Sequence, residues 1–237
     1  MNDADAVIWH DLECGGYSAD LPHWLALATS QAGVVLDVGA GTGRVALALA
    51  QAGHAVVALE RDAVLAAELE RRAAGLPVEV LCSDACSFAL PAAVALAIVP
   101  MQTIHLFSDR PAFLRCARRA LAPGGLLAVA LLGEGIEPFE LEREPDAVQI
   151  DALRYESTPT ALRRDGGGAV LLERRRSRIA ADGSRTAAID LTRLAACDGA
   201  TLAAEARTAG FASLESIVIA PTIEHVGSEI VCLGVPA

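Results

Sequence analysis

Two hydrophobic rhythms alternate along the first part of the chain. The run VVLDV (34–38) is continuously apolar apart from one aspartate and ends on glycine, as a buried strand does. GRVALALAQAG then spaces Val45, Leu47 and Leu49 among alanines and stops at Gly53, the pattern of a helix with a glycine end. HAVVALE (54–60) predicts the second strand, RDAVLAAELERRAAG the second helix, PVEVLCSDA the third strand and AVALAIVP (93–100) the fourth. SDRPAFLRCARRALAPGG predicts a helix with Ser108 as N-cap and Pro111 in its first turn, and GLLAVALLG follows as a fifth strand.

Continuously apolar strands alternating with helices imply a parallel sheet covered on both faces. Right-handed crossovers make it a doubly wound, Rossmann-like α/β fold. Ligands bind such sheets beyond the carboxyl ends of the strands, where strand order reverses.

From about residue 147 to 196 the rhythm changes. DALRYESTPTALRR, AVLLERRRSRIAA and RTAAIDLTRLAA are extended segments separated by DGGG and DGS, the signature of an antiparallel meander inserted into the fold. DGATLAAEARTAGF restores a helix, and ASLESIVIAP and SEIVCLGV predict two closing strands antiparallel to each other. At the other end, SADLPHWLALATSQAG predicts a helix with Pro22 near its start, while WHDLECGGY reads as a loop able to fold over a site. The expected organisation is a single domain: residues 1–32 as an N-terminal lid, 33–146 as the core, 147–196 as the insertion over an acceptor pocket, and 197–237 as the closing helix and strands.

Composition narrows the chemistry. Hydrophobic residues are 53% of the 237, enough for a large core, and the net charge of −11 is the wrong sign for a protein that grips nucleic-acid phosphates. No apolar run approaches the roughly 20 residues that span a bilayer. The opening MNDADAVIWHDLE is acidic where a secretory leader is basic. The six cysteines form no CxxC pair and meet no histidine in zinc spacing. A cytoplasmic protein with free thiols and no metal is expected. In ERRRSR (173–178) alternate arginines face opposite sides of a strand, so a solvated sheet face is expected, with an arginine binding an acceptor's carboxylate as the lesser reading.

The candidate chemistry lies in VVLDVGAGTGR (34–44). Gly39, Gly41 and Gly43 let backbone approach a ligand closely. The stretch is not a dinucleotide fingerprint, because Arg44 stands where the third glycine belongs, and the lysine of a phosphate-binding loop is missing. Asp37, two residues before Gly39, would repel a pyrophosphate and suits an ammonium or sulfonium. Its plainer alternative is a cap on the next helix. Glu60 ends the second strand 21 residues after Gly39, placed to accept both hydroxyls of a ribose. Asp84, in CSDACSF after the third strand, can accept from an exocyclic amine, and the Ala85 amide can serve a ring nitrogen. A cation, a ribose and an adenine at three successive strand ends describe S-adenosylmethionine.

LDVGAGTGR, ALE, SDACSF and LAPGGLLAV together resemble the motifs of class I S-adenosylmethionine-dependent methyltransferases over roughly residues 33–133. The resemblance implies a seven-stranded, mostly parallel sheet with an antiparallel last strand. It also implies cofactor contacts from Ala40, Arg61, Pro100 and Gln102 beside those already named. The insertion and HDLECGGY resemble the glycine and amino-sugar N-methyltransferase branch, although Trp9-His10 stand where that branch places a tyrosine. The implied reaction is methyl transfer to a small-molecule acceptor, an amine rather than a hydroxyl. Two other readings stay open: an RNA or protein methyltransferase, and a non-catalytic module of the same fold. Methyl transfer is an in-line displacement in which alignment supplies most of the acceleration. A base is needed when the acceptor arrives protonated. His105, after the fourth strand in PMQTIHLF, reads either as that base or as a histidine packing a helix start. His10 and His225 are weaker candidates.

Overall fold

The computed structural model describes residues 3–133, 139–140, 144–214, 216–221 and 227–236. The first elements in chain order are α1 (Asp3–Cys14), α2 (Leu21–Ser30), β1 (Val35–Val38), α3 (Arg44–Gln51), β2 (Val56–Glu60), α4 (Ala63–Arg72) and β3 (Val78–Cys82). Then come β4 (Val94–Val99), a 3₁₀ turn (Thr103–Leu106), α5 (Arg110–Ala120), β5 (Leu121–Leu132), β6 (Phe139–Glu140) and β7 (Asp146–Ile150). The last are β8 (Leu153–Arg164), β9 (Val170–Ala180), β10 (Arg185–Leu194), α6 (Gly199–Thr208), β11 (Ala212–Ser213), β12 (Ile217–Ile219) and β13 (Ser228–Gly234). The chain divides into two compact units, Met1–Gly16 with Gly135–Ala196 and Tyr17–Glu134 with Cys197–Ala237. Among the described residues no helix is long and apolar enough to cross a membrane.

The second of these units holds the doubly wound sheet, in the order β11-β13-β5-β4-β1-β2-β3. β1 pairs in parallel with both β2 and β4, so strand order reverses between β1 and β4. β13 runs antiparallel to β5. The expected strand ASLESIVIAP is split into β11 and β12, which both pair antiparallel with β13. Side chains alternate across each strand and build two cores. Leu36, Val38, Val99 and Leu127 pack with Phe113, Leu114 and Leu202 of α5 and α6 on one face. Val35, Ile98 and Ala128 pack with Trp24, Val45, Leu49 and Leu69 of α2, α3 and α4 on the other.

Two boundaries differ from expectation. The cap of α5 is Asp109 rather than Ser108; its carboxylate accepts from the Ala112 amide at 2.8 Å. β5 begins at Leu121, ahead of the Pro-Gly-Gly. Val94 faces Leu121 and Leu96 faces Leu126, so the ladder with β4 steps over Ala122–Gly125 as a bulge, and Gly124, at φ +74°, supplies the left-handed backbone there.

The first unit is an antiparallel sheet in the order β10-β9-β8-β6, with β7 also on β8. β8, β9 and β10 form the expected meander. Asp165 and Asp182 close its turns by accepting from Gly167, Ala169 and Ser184 amides. The stretch expected as a loop is instead the end of α1, which meets this sheet along Asp5, Trp9 and Glu13, four residues apart on one helical face. Asp5 accepts from Tyr155 and Arg178, and Glu13 accepts from Ser157 and two nitrogens of Arg176. Trp9 stands edge-on to Tyr155 at 5.1 Å and under the Arg176 guanidinium at 5.6 Å. Burial opposes the ionised form of Glu13, but Arg176 and Ser157 outweigh it and hold its carboxyl below the usual range. The arginine run is therefore not simply a solvated face. Arg175 and Arg178 are exposed, but Arg178, like the partly buried Arg176, pairs with an acid of α1.

Candidate cofactor site

The glycine stretch turns the chain from the end of β1 into α3. Gly39 and Gly43 take φ of +72° and +103°, a region that side chains seldom enter. A Cβ on Gly39 would strike the Thr103 methyl, and one on Gly43 would strike Leu69 and lie 2.9 Å from Leu47 Cγ. Bare backbone is thus required from both sides. The loop lies against the end of β2: the Gly39 and Ala40 amides donate to the Leu59 carbonyl at 2.8 and 3.1 Å, and the Gly41 amide donates to Glu60 Oε2 at 2.9 Å.

Asp37 faces the α2–α3 side of the sheet, like Val35 two residues earlier. It is 1% exposed, and among the described residues neither of its carboxylate oxygens has a hydrogen-bond partner. Burial pushes its pKa up to about 7; Arg44 and the Ala46 amide pull it down, while Asp20 and Glu60 add to the rise. The N-cap position of α3 is Gly43, but the Ala46 amide in the first turn of α3 still acts on the Asp37 carboxylate from outside hydrogen-bond geometry. A carboxylate buried without a partner is costly, and a ligand cation would remove that cost.

Glu60 is buried at the end of β2. Its Oε2 takes the Gly41 amide and its Oε1 takes the Asp62 amide, each at 2.9 Å, which braces the glycine loop. Each oxygen keeps a second lone pair for a hydroxyl donor. Arg61, next in sequence, is exposed. After β3, Asp84 is exposed and its Oδ1 accepts from the Cys86 amide at 2.7 Å in a local turn, while Ala85 is buried.

Beyond β4 the chain turns sharply. Pro100 is buried, Met101 holds the left-handed φ of +54°, Gln102 is partly buried, and the 3₁₀ turn follows. Positive φ at a side-chain-bearing residue is stored strain of the kind that collects at functional sites. Thr103 packs on Gly39. His105 is 4% exposed, and its Nε2 accepts from the Leu132 amide at 3.1 Å. Nε2 therefore holds the ring's free lone pair and Nδ1 its hydrogen, so a base role for His105 requires Nε2 to release the Leu132 amide. His10 lies on α1, 3.9 Å from an Asp11 oxygen, and His225 lies outside the described residues.

Sequence reasoning missed a buried ion pair beside this loop. Arg44, the first residue of α3, gives NH1 to Asp20 Oδ1 at 2.6 Å, NH2 to Asp20 Oδ2 at 2.8 Å and NH1 again to the Tyr17 carbonyl at 2.7 Å. The Trp24 indole donates to Asp20 Oδ2 at 2.8 Å. The sign was an arginine standing where a third glycine was sought.

Residues 35–125 match the family model described as a methyltransferase domain. The whole chain has the fold of several solved methyltransferases. The sugar N-methyltransferase KedS8 from Streptoalloteichus superposes with a TM-score of 0.77 at 17% identity, over 99% of this chain and 93% of that one. The amino pentose methyltransferase CalS10 from Micromonospora echinaspora, solved with SAM bound, gives 0.71 at 19% identity over 98% and 97%. The methyltransferase CcbJ from Streptomyces caelestis gives 0.70 at 20% over 100% and 93%. No curated protein matches the chain in sequence. Residues 35–125 are thus similar to a methyltransferase domain, and the chain shares its fold with these solved methyltransferases.

Proposed function

We propose that this chain transfers the methyl group of S-adenosylmethionine to a small-molecule amine. The observation that carries the reading is Asp37: a buried carboxylate with both oxygens unbonded, beside backbone kept bare at Gly39. That combination fits a compact cationic ligand and not a diphosphate. Asp37 and the amides of the glycine loop would hold the cationic end, Glu60 the ribose, and Asp84 with the Ala85 amide the adenine. Arg61, Pro100 and Gln102 complete the proposed contacts. When bound, the cofactor supplies an electrophilic methyl on a sulfonium.

The protein's own contribution is alignment and exclusion of water. An amine that arrives as an ammonium must lose a proton first, and His105 is proposed to take it at Nε2 as that nitrogen releases the Leu132 amide. The choice of an amine over a hydroxyl is supported by fold likeness to a sugar N-methyltransferase and an amino pentose methyltransferase.

Calorimetry with S-adenosylmethionine and S-adenosylhomocysteine tests the cofactor. The wild type is expected to bind both, and Glu60→Ala to bind each at least tenfold more weakly, a loss of about 1.4 kcal/mol. No affinity in the wild type would remove the cofactor assignment. Unchanged affinity in the variant would remove the ribose contact.

A further inference from the structure

We propose that Asp20 is a positioning residue for the cofactor: by gripping Arg44 with both oxygens it keeps that guanidinium off Asp37 and leaves the Asp37 carboxylate to the cofactor's cationic group. The inference rests on the functional reading above and adds to it the residue that keeps Asp37 available to a ligand cation.

Charge and geometry both lead there. Buried Asp20 and Asp37 and the largely buried Arg44 lie at the start of α2, the end of β1 and the start of α3. Ionised, Arg44 and Asp37 alone would sum to zero, and such a pair has no use for another cation. With Asp20 the three sum to −1, and Glu60, which also acts on Asp37, adds further negative charge, so the site favours a ligand cation.

Which carboxylate receives the arginine is settled by geometry. Asp20 meets the planar guanidinium with two parallel bonds of 2.6 and 2.8 Å, the strongest arrangement open to this pair. The Trp24 indole fixes Asp20 from one side at 2.8 Å. The Tyr17 carbonyl takes a further hydrogen of Arg44, and the Tyr17 ring lies 5.3 Å from its guanidinium carbon. Asp37 receives none of these bonds, although Arg44 is close enough to be the strongest charge acting on it. Remove the carboxylate at position 20 and a buried guanidinium loses its counter-ion. Asp37 is then the acid left to take it, because buried charges are driven to pair.

The test compares three probes on wild type, Asp20→Asn and the double variant Asp20→Asn with Arg44→Met. The probes are S-adenosylmethionine, S-adenosylhomocysteine, which keeps only the ammonium, and 5′-methylthioadenosine, which carries neither cation. Asp20→Asn is expected to weaken S-adenosylmethionine at least tenfold and to leave 5′-methylthioadenosine within about twofold of wild type. S-adenosylhomocysteine weakening in parallel assigns the seat to the ammonium; S-adenosylmethionine weakening alone assigns it to the sulfonium. The double variant removes the competing guanidinium together with its partner and is expected to recover S-adenosylmethionine affinity to within about threefold. It also supplies the measurement if the single variant fails to fold. Equal loss for all three probes, no loss for S-adenosylmethionine, or no recovery in the double variant overturns the proposal. A wild type that binds neither S-adenosylmethionine nor S-adenosylhomocysteine would instead overturn the functional reading beneath it.

Discussion

Replacing Asp37 by asparagine should make the cofactor-free protein more stable above neutral pH while removing its affinity for the cofactor. The carboxyl titrates near 7 in the fold and at 3.8 in the reference state, because burial disfavours its charged form. Between about pH 4 and pH 7 the folded protein keeps a proton that the unfolded chain has released. Wild-type stability therefore falls as pH rises through that window and levels off above it.

The shift is about three units, and at about 1.36 kcal/mol per unit the ionised group costs the fold about 4 kcal/mol at pH 8.5. Asparagine carries no charge but brings an amide whose buried polar atoms cost about 1–3 kcal/mol if unpaired. The net gain is then about 1–3 kcal/mol, or roughly 5 °C in Tm for a chain of this length. Thermal unfolding without cofactor, at pH 5 and pH 8.5, measures it. The variant should match or fall below wild type at pH 5 and exceed it at pH 8.5. A variant less stable than wild type by the same amount at both pH values would refute the reasoning, since Asp37 would then be partnered rather than stranded.

Two further outcomes follow from the same site. Gly39→Ala places a methyl group against Thr103 in a left-handed backbone; it should lower stability by about 1–3 kcal/mol and weaken the cofactor in calorimetry, and an unchanged melting curve would show that the turn after β4 gives way. His105→Gln should keep cofactor affinity within about threefold and flatten the dependence of methylation rate on pH between 5 and 8; a retained pH dependence would exclude His105 as the proton acceptor.

The parallel strands were legible because strands buried on both faces read as unbroken apolar runs, and β1, with all four residues buried, is the extreme case. The glycine loop was legible because few other contexts need glycine three times in five residues. The N-terminal helix was not. Its docking face is Asp5, Trp9 and Glu13, and a helix seated by ion pairs leaves no apolar period to find. Asp20 was equally hidden: its partner Arg44 lies 24 residues away, and nothing in local pattern marks an acid for a distant arginine. The Leu132 amide that occupies His105 is backbone and leaves no trace in residue type. At α5 the cap chemistry was recognised but set one residue early, as happens where serine and aspartate stand side by side.

Helix α1 also sets a schedule. The bonds from Tyr155 to Asp5, Arg176 to Glu13 and Arg178 to Asp5 span 150, 163 and 173 residues, and the whole of Tyr17–Glu134 lies between the partners. During synthesis α1 leaves the ribosome ahead of that intervening segment and waits for it to be made. Loop-closure entropy has to be met before those arginines reach their acids. The antiparallel unit is thus the slow partner in folding, finished only when β8 and β9 return to a helix made 150 or more residues earlier.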